Sequence, residues 1–431
     1  MRSRSRYTRG SSRILAPLLV CALAAACSET HQPLDWREAV RGGTEGLDTL
    51  ATAALVVETG SAGARATTGL STYLLAGRLD RLGSPIEVRA FLQWDVSGLP
   101  EGTVEDAHLE MHLRDVQPSG LPQATEYPLE LRRVTSAWSE DSLALGTPPE
   151  VEGAALATAE VDTANVGVTD GVALKRLFDE PDDERFVDLV RAWESGSTPN
   201  HGVAVVPAPG APPGIPRFWS AEGLPSSVTA PFNSPLLVVS LTDGSADTTV
   251  SIEPTEDAFV AGLADGGGLA LPDSLLLVSA GYVQRTALRF DPAPLLAQAQ
   301  VDSLSGLLVV KGVLHLALVA GMDGSLPEGE TLPLLAYAAD SLDWGALDSI
   351  PAASLVERVA LVTLTGGEAS VEIPIASFLQ RMVEGGPRNL VLLANTEILE
   401  AGSALFKGSA AQAGAPRVEV IFARTSGRLD P

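Results

Sequence analysis

Residues 186–206 read FVDLVRAWESGSTPNHGVAVV and residues 375–395 read IASFLQRMVEGGPRNLVLLAN; both pass from apolar residues at helical spacing to an apolar run at strand spacing. In the first segment Phe186, Leu189, Val190 and Trp193 stand at i, i+3, i+4 and i+7, and in the second Ile375, Phe378, Leu379 and Met382 do. Each set makes one apolar stripe on a short helix. Gly196 and Gly385 supply the stop, because glycine takes the left-handed backbone that ends a helix without a Cβ penalty. Elsewhere the pattern is short apolar, β-branched runs between Gly, Pro, Asp and Ser clusters, such as 90–96 (AFLQWDV), 107–113 (AHLEMHL), 235–241 (PLLVVSL), 286–291 (TALRFD) and 359–364 (VALVTL). That pattern predicts an all-β fold of two tandem antiparallel jelly-roll-like β-sandwich domains, each with a short helix.

The two sets of strands read as a diverged repeat. RAFLQWD at 89–95 aligns with RTALRFD at 285–291, and Trp138 in VTSAWSED aligns with Trp344 in DSLDWGAL. Order is kept while spacing drifts, as happens when loops of different length sit on one common fold. The reading divides the chain into 1–26, a signal peptide; 27–50, a lipid-anchored flexible tether; 51–242, the first sandwich; 243–257, a linker; 258–424, the second sandwich; and 425–431, a tail.

The amino terminus supports that division. Arg2, Arg4, Arg6, Arg9 and Arg13 precede the apolar stretch Ile14 to Ala26, which is too short to span a bilayer, where about 20 apolar residues are needed, and reads as a secretory signal. LAAAC, ending at Cys27, resembles a bacterial lipobox, in which the cysteine is lipidated; Ala24-Ala25-Ala26 also fits an ordinary cleavage site. The chain is therefore expected to be exported and either lipid-anchored at the outer membrane or cell surface, or secreted and soluble. Without residues 1–26 it keeps 24 basic against 54 acidic residues, a net charge of −30. Such a surface repels nucleic acid and excludes it as a partner. Only Cys27 remains of the two cysteines, so no disulfide holds the fold, and a hydrophobic fraction of 45% must build the core.

In order along the chain stand LQWD (92–95), LPEG (99–102), AHLEMHL (107–113), VTSAWSE (134–140), VRAWESG (190–196), GVAVV (202–206), FWSAE (218–222) and SPLLVV (234–239). This succession resembles the bacterial DNRLRE-domain family over most of residues 51–242. The resemblance thins over 250–424, where W-x-E becomes Trp344-Gly345-Ala346. It implies a jelly-roll-like sandwich of secreted or surface-attached bacterial proteins, some similar to carbohydrate-binding modules for alginate or related glycans, and it carries no catalytic residue set.

Among the residues themselves, Trp138, Glu140, Trp219 and Glu222 sit near predicted loops and are the candidate ligand-binding set, since aromatic faces stack on sugar rings. Alternation along a strand puts His108, Glu110 and His112 on one face, where they either chelate a metal or form the wet side of an antiparallel strand. The acidic stretches EPDDE (180–184) and AGLADGGG (261–268) offer oxygen ligands for structural calcium, against a default of solvated charge. No cofactor beyond such calcium is implied. The chain lacks G-x-S-x-G, H-E-x-x-H and P-loop strings, so it is expected not to be an enzyme. The sequence thus points to a non-catalytic surface protein that binds polysaccharide, a neutral one being favoured by the negative surface, or to a structural or protein-interaction spacer at the envelope.

Overall fold

The computed structural model describes residues 45–424 except 53, 64–67, 70, 118–123, 125, 142, 144–147, 163–174, 178–183, 223–233, 245, 264–268, 270, 302–306, 346, 348 and 400. The signal segment, Cys27 and the tether as far as residue 44 lie outside the described residues. What is described is mostly antiparallel strand arranged as two sandwiches, in agreement with the all-β expectation.

In the first sandwich a six-stranded sheet runs in the order Glu256–Leu263, Ser84–Gln93, Val203–Pro207, Glu126–Arg133 and Ala157–Asp162, with Gly77–Arg81 also paired to Ser84–Gln93. It packs on a four-stranded sheet of Lys175–Leu177, Thr103–Met111, Leu236–Thr242 and Asp247–Ile252. Leu92, Leu131 and Val205 from one sheet meet Leu109, Leu237 and Val239 from the other in a single core. A small sheet of Tyr73–Leu75, Ile215–Trp219 and Leu113–Gln117 flanks it. In the second sandwich Leu355–Thr365, Thr331–Ala339, Asn389–Ala394, Gln284–Phe290, Leu275–Ser279 and Ser403–Lys407 follow one another in one sheet, and Glu45–Thr52, Arg417–Arg424, Leu307–Ala317 and Ser370–Pro374 in the other.

Both expected helices form. Helix α1 (Glu184–Glu194) buries Phe186, Leu189, Val190 and Trp193. Helix α3 (Ala376–Val383) buries Phe378, Leu379, Met382 and Val383, with Ile375 just ahead of it. Burying such a stripe is worth roughly 1.5–3 kcal/mol per side chain. Gly196 and Gly385 have φ of 69° and 90°, the left-handed conformation that ends each helix. A third helix, α2 (Ala293–Ala299), follows the strand Gln284–Phe290; its seven residues APLLAQA carry too short a stripe to announce it.

The strand partners differ from the sequence division. Glu45–Thr52 pairs with Arg417–Arg424, and Val56–Gly63 pairs with Gln284–Phe290, so residues 45–63 complete the second sandwich. The end of the expected tether is therefore strand, and residues 51–63 do not belong with the first sandwich. The expected linker 243–257 contains the strand Asp247–Ile252, paired with Leu236–Thr242, and the start of Glu256–Leu263, paired with Ser84–Gln93. The physical reason is that apolar alternation fixes which face of a strand is buried but not which edge it joins.

The pairing has a consistent register. Asp257 lies beside Leu92, and Thr59 lies beside Leu288, the two leucines that align in sequence. Each opening strand thus docks at the same place, but on the opposite set of strands. The two sandwiches are also joined by an apolar contact in which Ala401, Tyr282 and Ile398 pack with Leu75, Ile86 and Phe259. Ser71 Oγ donates to the Ile398 carbonyl at 2.8 Å and the Arg217 guanidinium to that of Leu399 at 2.8 Å.

Candidate functional site

Glu140 stands in the loop after the strand Glu126–Arg133, and the Trp138 just before it anchors that loop. The Trp138 ring lies 5.9 Å from Phe91 and packs with Val134, Leu143, Ala258 and Val260 on the outer face of the six-stranded sheet. Its Nε1–H donates to the His201 carbonyl at 2.9 Å. The indole is half-buried, and with its one polar atom satisfied it holds the loop in place.

Glu222 comes from the turn after the strand Ile215–Trp219, and Asp257 from the strand Glu256–Leu263. One carboxylate oxygen from each of Glu140, Glu222 and Asp257 lies within 4.8 Å of the other two. Three backbone contacts hold Asp257 and Glu140 in place. The Ala221 N–H donates to Asp257 Oδ2 at 2.7 Å, the Asp257 N–H to Glu140 Oε2 at 3.3 Å, and the Glu140 N–H to Glu256 Oε2 at 2.8 Å. Gly69 closes over the cluster: a Cβ there would lie 2.5 Å from that of Glu140.

Asp257 is only 1% exposed, and Glu140 and Glu222 are half-buried. Among the described residues, Asp257 Oδ1 and Glu222 Oε2 are buried without a hydrogen-bond partner. Burial pushes the Asp257 carboxyl up to about 8, against the Ala221 N–H that favours its charged form and with Glu222 and Glu140 adding repulsion. Burial also raises Glu140, with Glu222, Glu256 and Asp141 acting in the same direction. The sequence picked out Glu140 and Glu222 but missed Asp257, which fell in the expected linker and carries no local signal of its role.

Trp219 lies elsewhere on the same sandwich, on the small flanking sheet. Its half-buried ring is 4.9 Å from Tyr73, and the exposed Arg114 guanidinium sits 5.5 Å from the ring centroid. Arg217 stacks over Tyr73 at 4.5 Å and pairs through Nε with Asp115 at 2.8 Å. Aromatic and guanidinium planes in contact make an amphipathic patch, apolar on the ring faces and hydrogen-bonding at the edges.

The expected metal triad is not assembled. His108 Nε2 lies 3.3 Å from Glu110 Oε1 and its Nδ1 3.5 Å from Asp106, while His112 stands at the break between Thr103–Met111 and Leu113–Gln117, where the chain leaves one sheet for another. Alternation ends at that break, and both histidines are buried. Burial lowers the His112 pKa. Among the described residues the one group of metal-ligating side chains within reach of a common ion is Glu140, Glu222 and Asp257. Of the two acidic stretches proposed for calcium, residues 180–183 and 264–268 lie outside the described residues.

A comparison with protein families bears on the same region. Residues 66–175 match carbohydrate-binding module family 96. The matched stretch supplies Tyr73, Arg114, Trp138 and Glu140, and ends before Trp219, Glu222 and Asp257. It supports a carbohydrate-binding-module-like sandwich, a class of module that binds rather than cleaves. No curated protein matches the chain.

Proposed function

We propose that the chain is a non-catalytic polysaccharide-binding protein of the bacterial cell surface, anchored by lipid at Cys27 in the outer membrane. The match of residues 66–175 to carbohydrate-binding module family 96 carries this reading. In the same proposal the two sandwiches are diverged copies of one DNRLRE-like module, and the glycan contacts are made by Trp219, Tyr73 and Arg114. The ring edges and the guanidinium there suit a sugar's alternating apolar faces and hydroxyls. The overall charge of the exported chain keeps it clear of nucleic acid.

Affinity electrophoresis of Ser28–Pro431 through neutral and acidic polysaccharides tests the proposal. Retardation by at least one polysaccharide is expected, lost in Trp219→Ala and weakened in Arg114→Ala. Retardation by none would leave the second reading, a structural spacer. One observation favours that reading: Trp138, one of the two tryptophans suited to stacking, packs on the sheet and holds the loop that carries Glu140.

A further inference from the structure

We propose that Glu140, Glu222 and Asp257 form a binding site for a hard divalent cation, calcium by its chemistry, which ties the strand Glu256–Leu263 to the two loops that cover it. This goes beyond the polysaccharide reading and stands without it.

Geometry comes first. Calcium takes oxygen ligands at 2.3–2.6 Å, so two oxygens on one ion lie at most about 5 Å apart. The three carboxylates meet that limit, with oxygens within 4.8 Å of one another. Magnesium binds at 2.0–2.1 Å and would need opposed ligands drawn in to about 4.2 Å. An all-carboxylate set with neither His nor Cys disfavours zinc and copper.

Electrostatics comes second. A carboxylate taken out of water must be hydrogen-bonded or paired, or it is expensive. Asp257 is 99% removed from solvent, its Oδ1 has no partner, and Glu222 Oε2 beside it has none either. The ionisable neighbours that act on Asp257 are acids, Glu222 and Glu140. Carboxylates donate no hydrogen to each other, so the missing partner is positive: a metal ion, or a proton shared between Asp257 and Glu222. Asp257 Oδ2 and Glu140 Oε2 are already held by backbone N–H groups, and one oxygen of each of the three carboxylates lies within 4.8 Å of the other two.

The corresponding place in the second sandwich lacks this deficit. Thr59 stands there, with its hydroxyl 3.0 Å from Ser409 Oγ and accepting the Ser409 N–H at 2.9 Å. Counting on from Ala221 and Ser409, Ala410 takes the place of Glu222. The site therefore belongs to the first sandwich alone.

The test is calorimetric titration of calcium into chelator-stripped Ser28–Pro431, beside thermal unfolding with calcium and with chelator. One saturable calcium site is expected, with a rise in Tm that magnesium reproduces only at far higher concentration. Asp257→Asn and Glu222→Gln should each abolish binding and the Tm shift. Neither should unfold the stripped protein, because each replaces an acid by a neutral group of the same shape. Absence of saturable binding to the wild type, or binding that survives both substitutions, would overturn the site and leave the shared proton. Polysaccharide plays no part in the assay, so its outcome is separate from that of the electrophoresis.

Discussion

Asp257 and Thr59 occupy the same place in two sandwiches, and the chain treats them differently. Each lies beside an aligned leucine, Leu92 or Leu288, and each accepts a backbone N–H from the segment that follows a neighbouring strand, Ala221 or Ser409. What the fold needs at this point is one acceptor. A hydroxyl supplies it in the second sandwich at no electrostatic cost. The first sandwich uses a carboxylate instead and sets Glu140 and Glu222 beside it, which exceeds the structural need and adds repulsion in a buried place. Backbone frame and side-chain chemistry are thus separable here, and the difference in chemistry is where a function of the first sandwich is to be sought.

The comparison presumes that each opening strand belongs where it pairs, and removing one is the severest way to break it. Deleting residues 28–63 takes two strands and the buried Leu55, Val56 and Ala62 from the second sandwich, leaving the partners Arg417–Arg424 and Gln284–Phe290 with open edges. At roughly 1.5–3 kcal/mol for each large apolar side chain, before any loss of strand pairing, that second unit should unfold. The first sandwich runs without interruption of its strands from Tyr73 to Leu263 and should remain. Scanning calorimetry should show one unfolding transition lost, and the fragment 66–264 should fold alone. If 51–242 folds and 66–264 does not, the pairing of the opening strands is wrong.

Next in size is the pH dependence that Asp257 imposes on the first sandwich. Its carboxyl holds a proton up to about pH 8 when folded, against an ordinary value of 3.8. Between those limits the folded chain binds more protons than the unfolded one. Stability is therefore greatest at the acid end of that range and falls as pH rises through it toward 8. Glu140, raised by the same burial, adds to the slope, and Glu222, Glu256 and Asp141 are the other acids that face this pair. Urea unfolding of chelator-stripped protein from pH 5 to 8 should show the decline. Asp257→Asn should flatten it, and calcium should reverse it above pH 7 by holding the carboxylate ionised. The second sandwich, with Thr59 in that place, has no such group there. Equal slopes in its transition would remove the contrast.

Much of this was readable beforehand, and the part that was not has a common cause. The stripes of Phe186 to Trp193 and Ile375 to Met382 are local patterns, and local patterns became helices. Glu140 and Glu222 could be singled out because each follows a tryptophan in a loop between strands. Asp257 could not, since its meaning comes from pairing with Ser84–Gln93, and pairing is a long-range choice that alternation leaves open. His108 and His112 failed for a related reason: the alternation that would have put them on one face stops where the chain crosses between sheets. Trp138 and Trp219 looked alike in sequence and are both half-buried; they separated only by their neighbours, one packed on Phe91 with its N–H held by the His201 carbonyl, the other facing Tyr73 and Arg114.

The smallest effect sharpens the comparison from the other side. Thr59→Val removes the hydroxyl that accepts the Ser409 N–H while keeping the β-branched shape that suits a strand. Thr59 and its contacts are part exposed, so water can reach the freed N–H. The expected loss is about 1 kcal/mol, the net worth of an ordinary hydrogen bond, rather than the larger cost of a buried orphan. Chemical denaturation of the second sandwich measures it. A loss near 1 kcal/mol with no change in calcium binding means that the place asks only for an acceptor, and that the acids at its counterpart answer to something besides folding. A loss of several kcal/mol would mean that the position is demanding in both sandwiches, and Asp257 would then need no further explanation than structure.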